Sequence, residues 1–88
     1  MKFKLVMTCG ACPEQYDVLD EYGFKRGYLR LRNGYFTARL DDPSGPVVYA
    51  ALTDGDGIFT SEERQGHLDA AVKAIAAGLT GPVEWEVT

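Results

Sequence analysis

Eighty-eight residues can enclose one modest core, burying roughly 60–65% of the surface of the unfolded chain, so residues 1–88 are read as a single small globular domain. Hydrophobic residues make up 45% of the chain and aromatic ones 11%, which excludes a disordered chain, and no apolar run approaches the roughly 20 residues of a membrane-spanning helix. The formal charge of −4 is unevenly spread, with seven basic side chains against four acidic in residues 1–40 (+3) and two against nine in residues 41–88 (−7), a dipole that argues against a general nucleic-acid binder.

Residues 2–8 alternate, with Phe3, Leu5 and Met7 on one side and Lys4 and Val6 on the other, the pattern of a half-buried strand. The segment has no apolar stretch long enough for secretion, which implies a cytoplasmic protein whose thiols stay reduced. Gly10, Ala11 and Pro13 then force a turn. Residues 15–20 read as a second strand with Tyr16 and Val18 on one face; a short helix over 13–22, with Pro13 at its first position, is the competing reading. "GYLRLRNGYFTARL", residues 27–40, is a β-hairpin, because Asn33-Gly34 accepts the two positive φ angles of a type I′ turn and both flanks alternate. A two-residue turn fixes the register: Arg32 faces Tyr35, Leu31 faces Phe36, Arg30 faces Thr37, Leu29 faces Ala38 and Tyr28 faces Arg39. One side of the hairpin is therefore Leu29, Leu31, Phe36, Ala38 and Leu40, and the other is Arg26, Tyr28, Arg30, Arg32, Tyr35, Thr37 and Arg39.

After the loop at 41–45, residues 46–52 form a further β-rich run. "TDGDG" is a second loop, and Thr60 with Glu63 makes a capping box that opens the one helix. Leu68, Ala71, Val72, Ile75 and Leu79 give that helix an apolar stripe, and Gly78 or Gly81 ends it. "PVEWEVT" is a last strand with Val83, Trp85 and Val87 inward and Glu84 and Glu86 outward. The sum is an α+β, two-layer domain: a mainly antiparallel sheet of five or six strands with one long C-terminal helix packed on one face.

Four patterns could carry chemistry. Cys9 and Cys12, spaced Cys-x-x-Cys, resemble the active site of thioredoxin-like thiol oxidoreductases, but the hairpin stands where that fold needs a βαβ crossover. The same pair could supply two thiolates to Zn²⁺; with no further cysteine, a closed four-sulfur site would be shared across a homodimer. The plain alternative is two reduced thiols in a turn. "LTDGDGIFTSEE" resembles a calcium-binding EF-hand loop, with Asp54, Asp56 and Glu63 at three ligand positions and Leu52 where the first acid should stand, so that at most a weak Ca²⁺ site follows. His67 has no nucleophile partner and reads as a partly exposed helical side chain. Finally, Arg26, Tyr28, Arg30, Arg32, Tyr35 and Arg39 form a candidate binding face. Phosphate on the arginines with a base on a tyrosine is physically reasonable, while Asp17, Asp20, Glu84 or Glu86 on neighbouring strands are the carboxylates that would neutralise it.

The run "CGACPEQYDV" followed by "GYLRLRNGYF" and "GDGIFTSEER" resembles a small uncharacterised family of proteins found mainly in bacteriophage and prophage genomes. The resemblance spans most of the chain, carries no residue roles with it, and implies an accessory protein acting in the bacterial cytoplasm by binding a host protein or itself. The expectation is thus a non-enzymatic, homo-oligomeric protein-binding module with no cofactor, working through the uncovered sheet face. A zinc-stabilised domain and a thiol oxidoreductase are the alternatives.

Overall fold

The computed structural model describes residues 2–10, 13–41, 43–77 and 84–87, the last four through their backbone. Six strands and one helix follow in the order β1 (Lys2–Cys9), β2 (Glu14–Asp20), β3 (Lys25–Arg32), β4 (Tyr35–Leu40), β5 (Val47–Leu52), α1 (Ser61–Ala76) and β6 (Glu84–Val87). They form one sheet of order β5-β4-β3-β2-β1-β6. The first five strands are a continuous antiparallel meander, and β6 returns past the helix to lie parallel to β1, with Lys2 opposite Glu84 and Leu5 opposite Val87. The helix crosses the β3, β4 and β5 side of the sheet, so the expected two-layer α+β architecture is the one observed.

The hairpin carries the expected register from Tyr28 opposite Arg39 to Arg32 opposite Tyr35. Its turn has φ of 54° at Asn33 and 72° at Gly34, the left-handed pair that a type I′ turn demands. β2 is a strand and not the alternative helix: Glu14, Tyr16, Val18 and Asp20 alternate inward with striking regularity of pattern, every second residue buried. Phe3, Leu5, Tyr16, Val18, Leu29, Leu31, Phe36 and Ala38 line the covered sheet face, and Phe59, Leu68, Ala71, Val72, Ile75 and Ala76 close the core from the loop and helix. Met7 lies opposite Tyr16 yet is 41% exposed. Leu79, Gly78, Gly81 and Val83, assigned above to the helix stripe, its end and the last strand, lie outside the described residues, as do the side chains of Trp85, Val87, Glu84 and Glu86.

One expectation is corrected. Arg26 does not belong to the open face. A bulge sets Val18 opposite Gly27 but Leu19 opposite Lys25, so Arg26 is the extra residue and the alternation reverses at that point. Lys25 takes the open face, pairing with Asp17 at 3.0 Å. Arg26 lines a groove with Val48, Ala74 and Ile75 on the helix side and donates from Nε to Asp20 at 2.8 Å.

Gly27 on β3 lies directly under Ile75 of the helix. A Cβ built there would lie 2.4 Å from Ile75 Cδ1 and 3.2 Å from the Arg39 carbonyl oxygen. Because the clash is with the end of a flexible side chain, Gly27→Ala should cost about 1–2 kcal/mol in urea unfolding. Adding Ile75→Val, which removes that Cδ1, should recover part of the loss; equal or greater loss in the double variant would refute this account of the contact.

Candidate functional site

With α1 on one side, the opposite side of the β3–β4 hairpin is the uncovered layer, and it displays Tyr28, Arg30, Arg32, Tyr35, Thr37 and Arg39. Alternation dictates this set, since every one of these residues is flanked in sequence by a residue buried under the helix or at its margin. Tyr35 is half exposed, and Leu52, opposite it on β5, is 83% exposed. The two make a small apolar platform beside Arg32, which itself faces Tyr35 across the hairpin.

The electrostatics of this face decide its character. Of the four carboxylates that could have neutralised it, Asp17 is taken by Lys25 at 3.0 Å and Asp20 by Arg26 at 2.8 Å. Glu84 and Glu86 stand on β6, opposite Lys2 and Lys4 of β1 and separated from β3 by β1 and β2. Arg39 donates from Nη1 to the Gly45 carbonyl at 2.9 Å, a neutral acceptor. Arg30 has its Nε cut off from solvent with no acceptor among the described residues. Lys25, paired with Asp17, also lies over the Tyr28 ring, 5.4 Å from its centroid.

The other expected sites fare differently. Cys9 ends β1 opposite Gln15 and is half-buried; Cys12 lies outside the described residues, so the expected pair has one described member. In the "TDGDG" loop, Glu63 has another task than the one an EF-hand would give it. Its Oε1 accepts from the Asp54 amide at 2.9 Å and its Oε2 from Gly55 at 2.7 Å and Thr60 at 2.9 Å. An EF-hand needs both oxygens of that glutamate on the ion. No group of three or more His, Cys, Asp or Glu side chains placed to hold a metal occurs among the described residues, so Asp54, Asp56 and Glu63 do not assemble a Ca²⁺ site there. Desolvation opposes ionisation of Glu63, but the amides of Thr60, Asp54 and Gly55 outweigh it and bring its pKa down to about 2. The capping box is present as expected.

Two groups carry more than the sequence reading assigned them. Glu14 is fully buried on β2 and receives Arg64 Nε on Oε2 and Arg64 Nη2 on Oε1, both at 3.1 Å, the Phe59 amide on Oε1 at 3.1 Å, and the Tyr16 hydroxyl on Oε2. Burial raises its pKa, but the bonds from Arg64, Tyr16 and Phe59 prevail and hold the carboxyl below its usual range. Burial and the neighbouring carboxylate push the Tyr16 hydroxyl well above the usual phenol. His67 is half-buried: it stacks on Phe59 with centroids 5.5 Å apart and shares a 3.0 Å hydrogen bond between Nδ1 and the Tyr49 hydroxyl. Both groups tie α1 and its leading loop to the sheet.

The geometry therefore defines an open-faced α+β sheet domain with a cationic, tyrosine-bearing outer layer. No family model matches the chain, and no curated protein or solved structure matches it either.

Proposed function

We propose that this is a non-enzymatic binding protein that captures a partner through the open face of its sheet, at Tyr28, Arg30, Arg32, Tyr35 and Arg39. In keeping with the resemblance noted above, it acts as a phage or prophage accessory protein in the bacterial cytoplasm, on a host protein or on a second copy of itself. The observation that carries the reading is Arg30, whose Nε is buried on that face without an acceptor among the described residues, beside Arg32 and the exposed Tyr35–Leu52 platform. A guanidinium Nε closed off from solvent without an acceptor is costly, and arginine and tyrosine are the residues that dominate the energetics of interface anchors.

The test is a pull-down from bacterial lysate with the immobilised protein. Arg30→Glu combined with Arg32→Glu should leave the circular dichroism spectrum and melting temperature close to those of the unmodified chain, yet abolish recovery of the species it retains. A charge-reversed, folded variant that retains the same species at the same yield would remove the open face as the site. Cys9→Ser should leave capture intact; loss of capture with that change would point back to the thiol alternatives.

A further inference from the structure

We infer that the partner surface is acidic and extended: a protein segment with carboxylates at alternate positions, laid along β3 on the open face, with an apolar side chain on the Tyr35–Leu52 platform. This rests on the reading of that face given above and names its ligand chemistry.

Charge complementarity at a defined spacing selects this ligand. Arg30 and Arg32 are two residues apart on one strand, so their side chains leave the sheet roughly 6–7 Å apart on the same face. An extended chain repeats its own side chains at the same interval, so carboxylates at i and i+2 meet the two guanidinium groups in step, at Arg30 through the Nη atoms because its Nε is closed off from solvent. On β2, Asp17 and Asp20 are held by Lys25 and Arg26, and Asp56 shares a cleft with Arg32 at the turn end of the face. The platform of Tyr35 and Leu52 lies next to Arg32, where an apolar residue beside the acidic pair would be anchored. A nucleic acid could also supply anions to this face. It is disfavoured because the chain carries −4 overall, which repels a polyanion at long range while leaving a local acidic patch free to dock within a Debye length of about 8–10 Å.

The test is fluorescence anisotropy of two labelled probes against the full chain: a peptide of about a dozen residues alternating glutamate with leucine, and oligothymidylate of similar length, at low and physiological salt. The peptide should bind, more weakly as salt rises. Arg30→Glu with Arg32→Glu should abolish binding, Tyr35→Ala should weaken it about tenfold and Tyr35→Phe should preserve it, since the ring and not the hydroxyl forms the platform. The same peptide with glutamine in place of glutamate should fail. Tighter binding of oligothymidylate than of the peptide would overturn the acidic-segment assignment in favour of a nucleic acid while leaving the face itself as the site. Binding of neither probe by a folded chain whose lysate capture still depends on Arg30 and Arg32 would overturn the acidic assignment alone; capture that ignores those arginines would bring down the underlying reading.

Discussion

Glu14→Ala should destabilise the protein by about 3–5 kcal/mol in urea unfolding, the effect of removing one member of a buried ion pair. The carboxylate is the meeting point of three elements: its own strand β2, the helix α1 through Arg64, and the loop before the helix through the Phe59 amide. Deleting it takes the acceptor from the buried Phe59 amide and the Tyr16 hydroxyl and the ion-pair partner from the partly exposed Arg64, and each buried donor left without an acceptor carries a desolvation cost. Glu14→Gln, which keeps the shape and one acceptor oxygen, should cost less than the alanine variant. Arg64→Ala should cost a comparable amount, because it leaves the fully buried Glu14 carboxylate without its cation, held only by the neutral donors of Tyr16 and Phe59. In a double-mutant cycle the Glu14 and Arg64 losses should fall short of additive by at least 1 kcal/mol. A Glu14→Ala variant losing under about 1 kcal/mol would mean that the buried cluster is not what holds the loop and helix on the sheet.

That cluster was illegible in the sequence, whereas the hairpin was legible to the residue, and the difference has a physical cause. The hairpin is written in neighbouring residues: Asn33-Gly34 admits one turn type, and that turn sets every cross-strand pair. The helix start is also local, in the Thr60 and Glu63 capping box. Glu14 meets Phe59 and Arg64 across 45 and 50 residues of chain, and no local pattern distinguishes it from a solvated glutamate after a proline. The error at Arg26 has a third origin. Alternation is sound only while the register is unbroken, and a one-residue bulge moves a side chain to the other face without any mark in the composition. The open face survived as a candidate because its other members lie on the regular part of β3 and β4. The assignment of its neutralising partners could not be read in advance, since it depends on which strands are neighbours: Asp17 and Asp20 are claimed within two strands by Lys25 and Arg26, and the parallel return of β6 next to β1 sets Glu84 and Glu86 far from the arginines.

Glu63 is the case in which the sequence showed half of a residue's work, and it carries the second large effect. The capping box accounts for the Thr60 amide, but the same carboxylate also collects the amides of Asp54 and Gly55, turning a helix cap into the clasp of the whole loop. The loop has little freedom to find another arrangement: a Cβ on Gly55 would fall 1.8 Å from the Ile58 carbonyl oxygen, so the chain must fold back on itself there, and Gly34 and Thr53 lock the loop to the hairpin turn through the bonds Gly34 N–H to Asp56 O and Thr53 N–H to Gly34 O. Glu63→Gln keeps one acceptor oxygen in place of two and none of the charge. It should cost about 2 kcal/mol near neutral pH, three charge-assisted bonds reduced by the solvent that reaches the edge of the site. The pH dependence follows in sign. Because folding lowers the Glu63 pKa from 4.5 to about 2, its contribution is complete above the unfolded value and is lost as pH falls from about 5 toward 2. The gap in stability between the native chain and the glutamine variant should therefore be widest near neutrality and close through that acid window, while the losses due to Glu14 and Asp20, whose pKa values are lowered as well, remain in both proteins. Urea titrations at a series of pH values measure that gap directly. A gap that stays constant down to about pH 2 would mean that Glu63 acts through its shape and not through its charge.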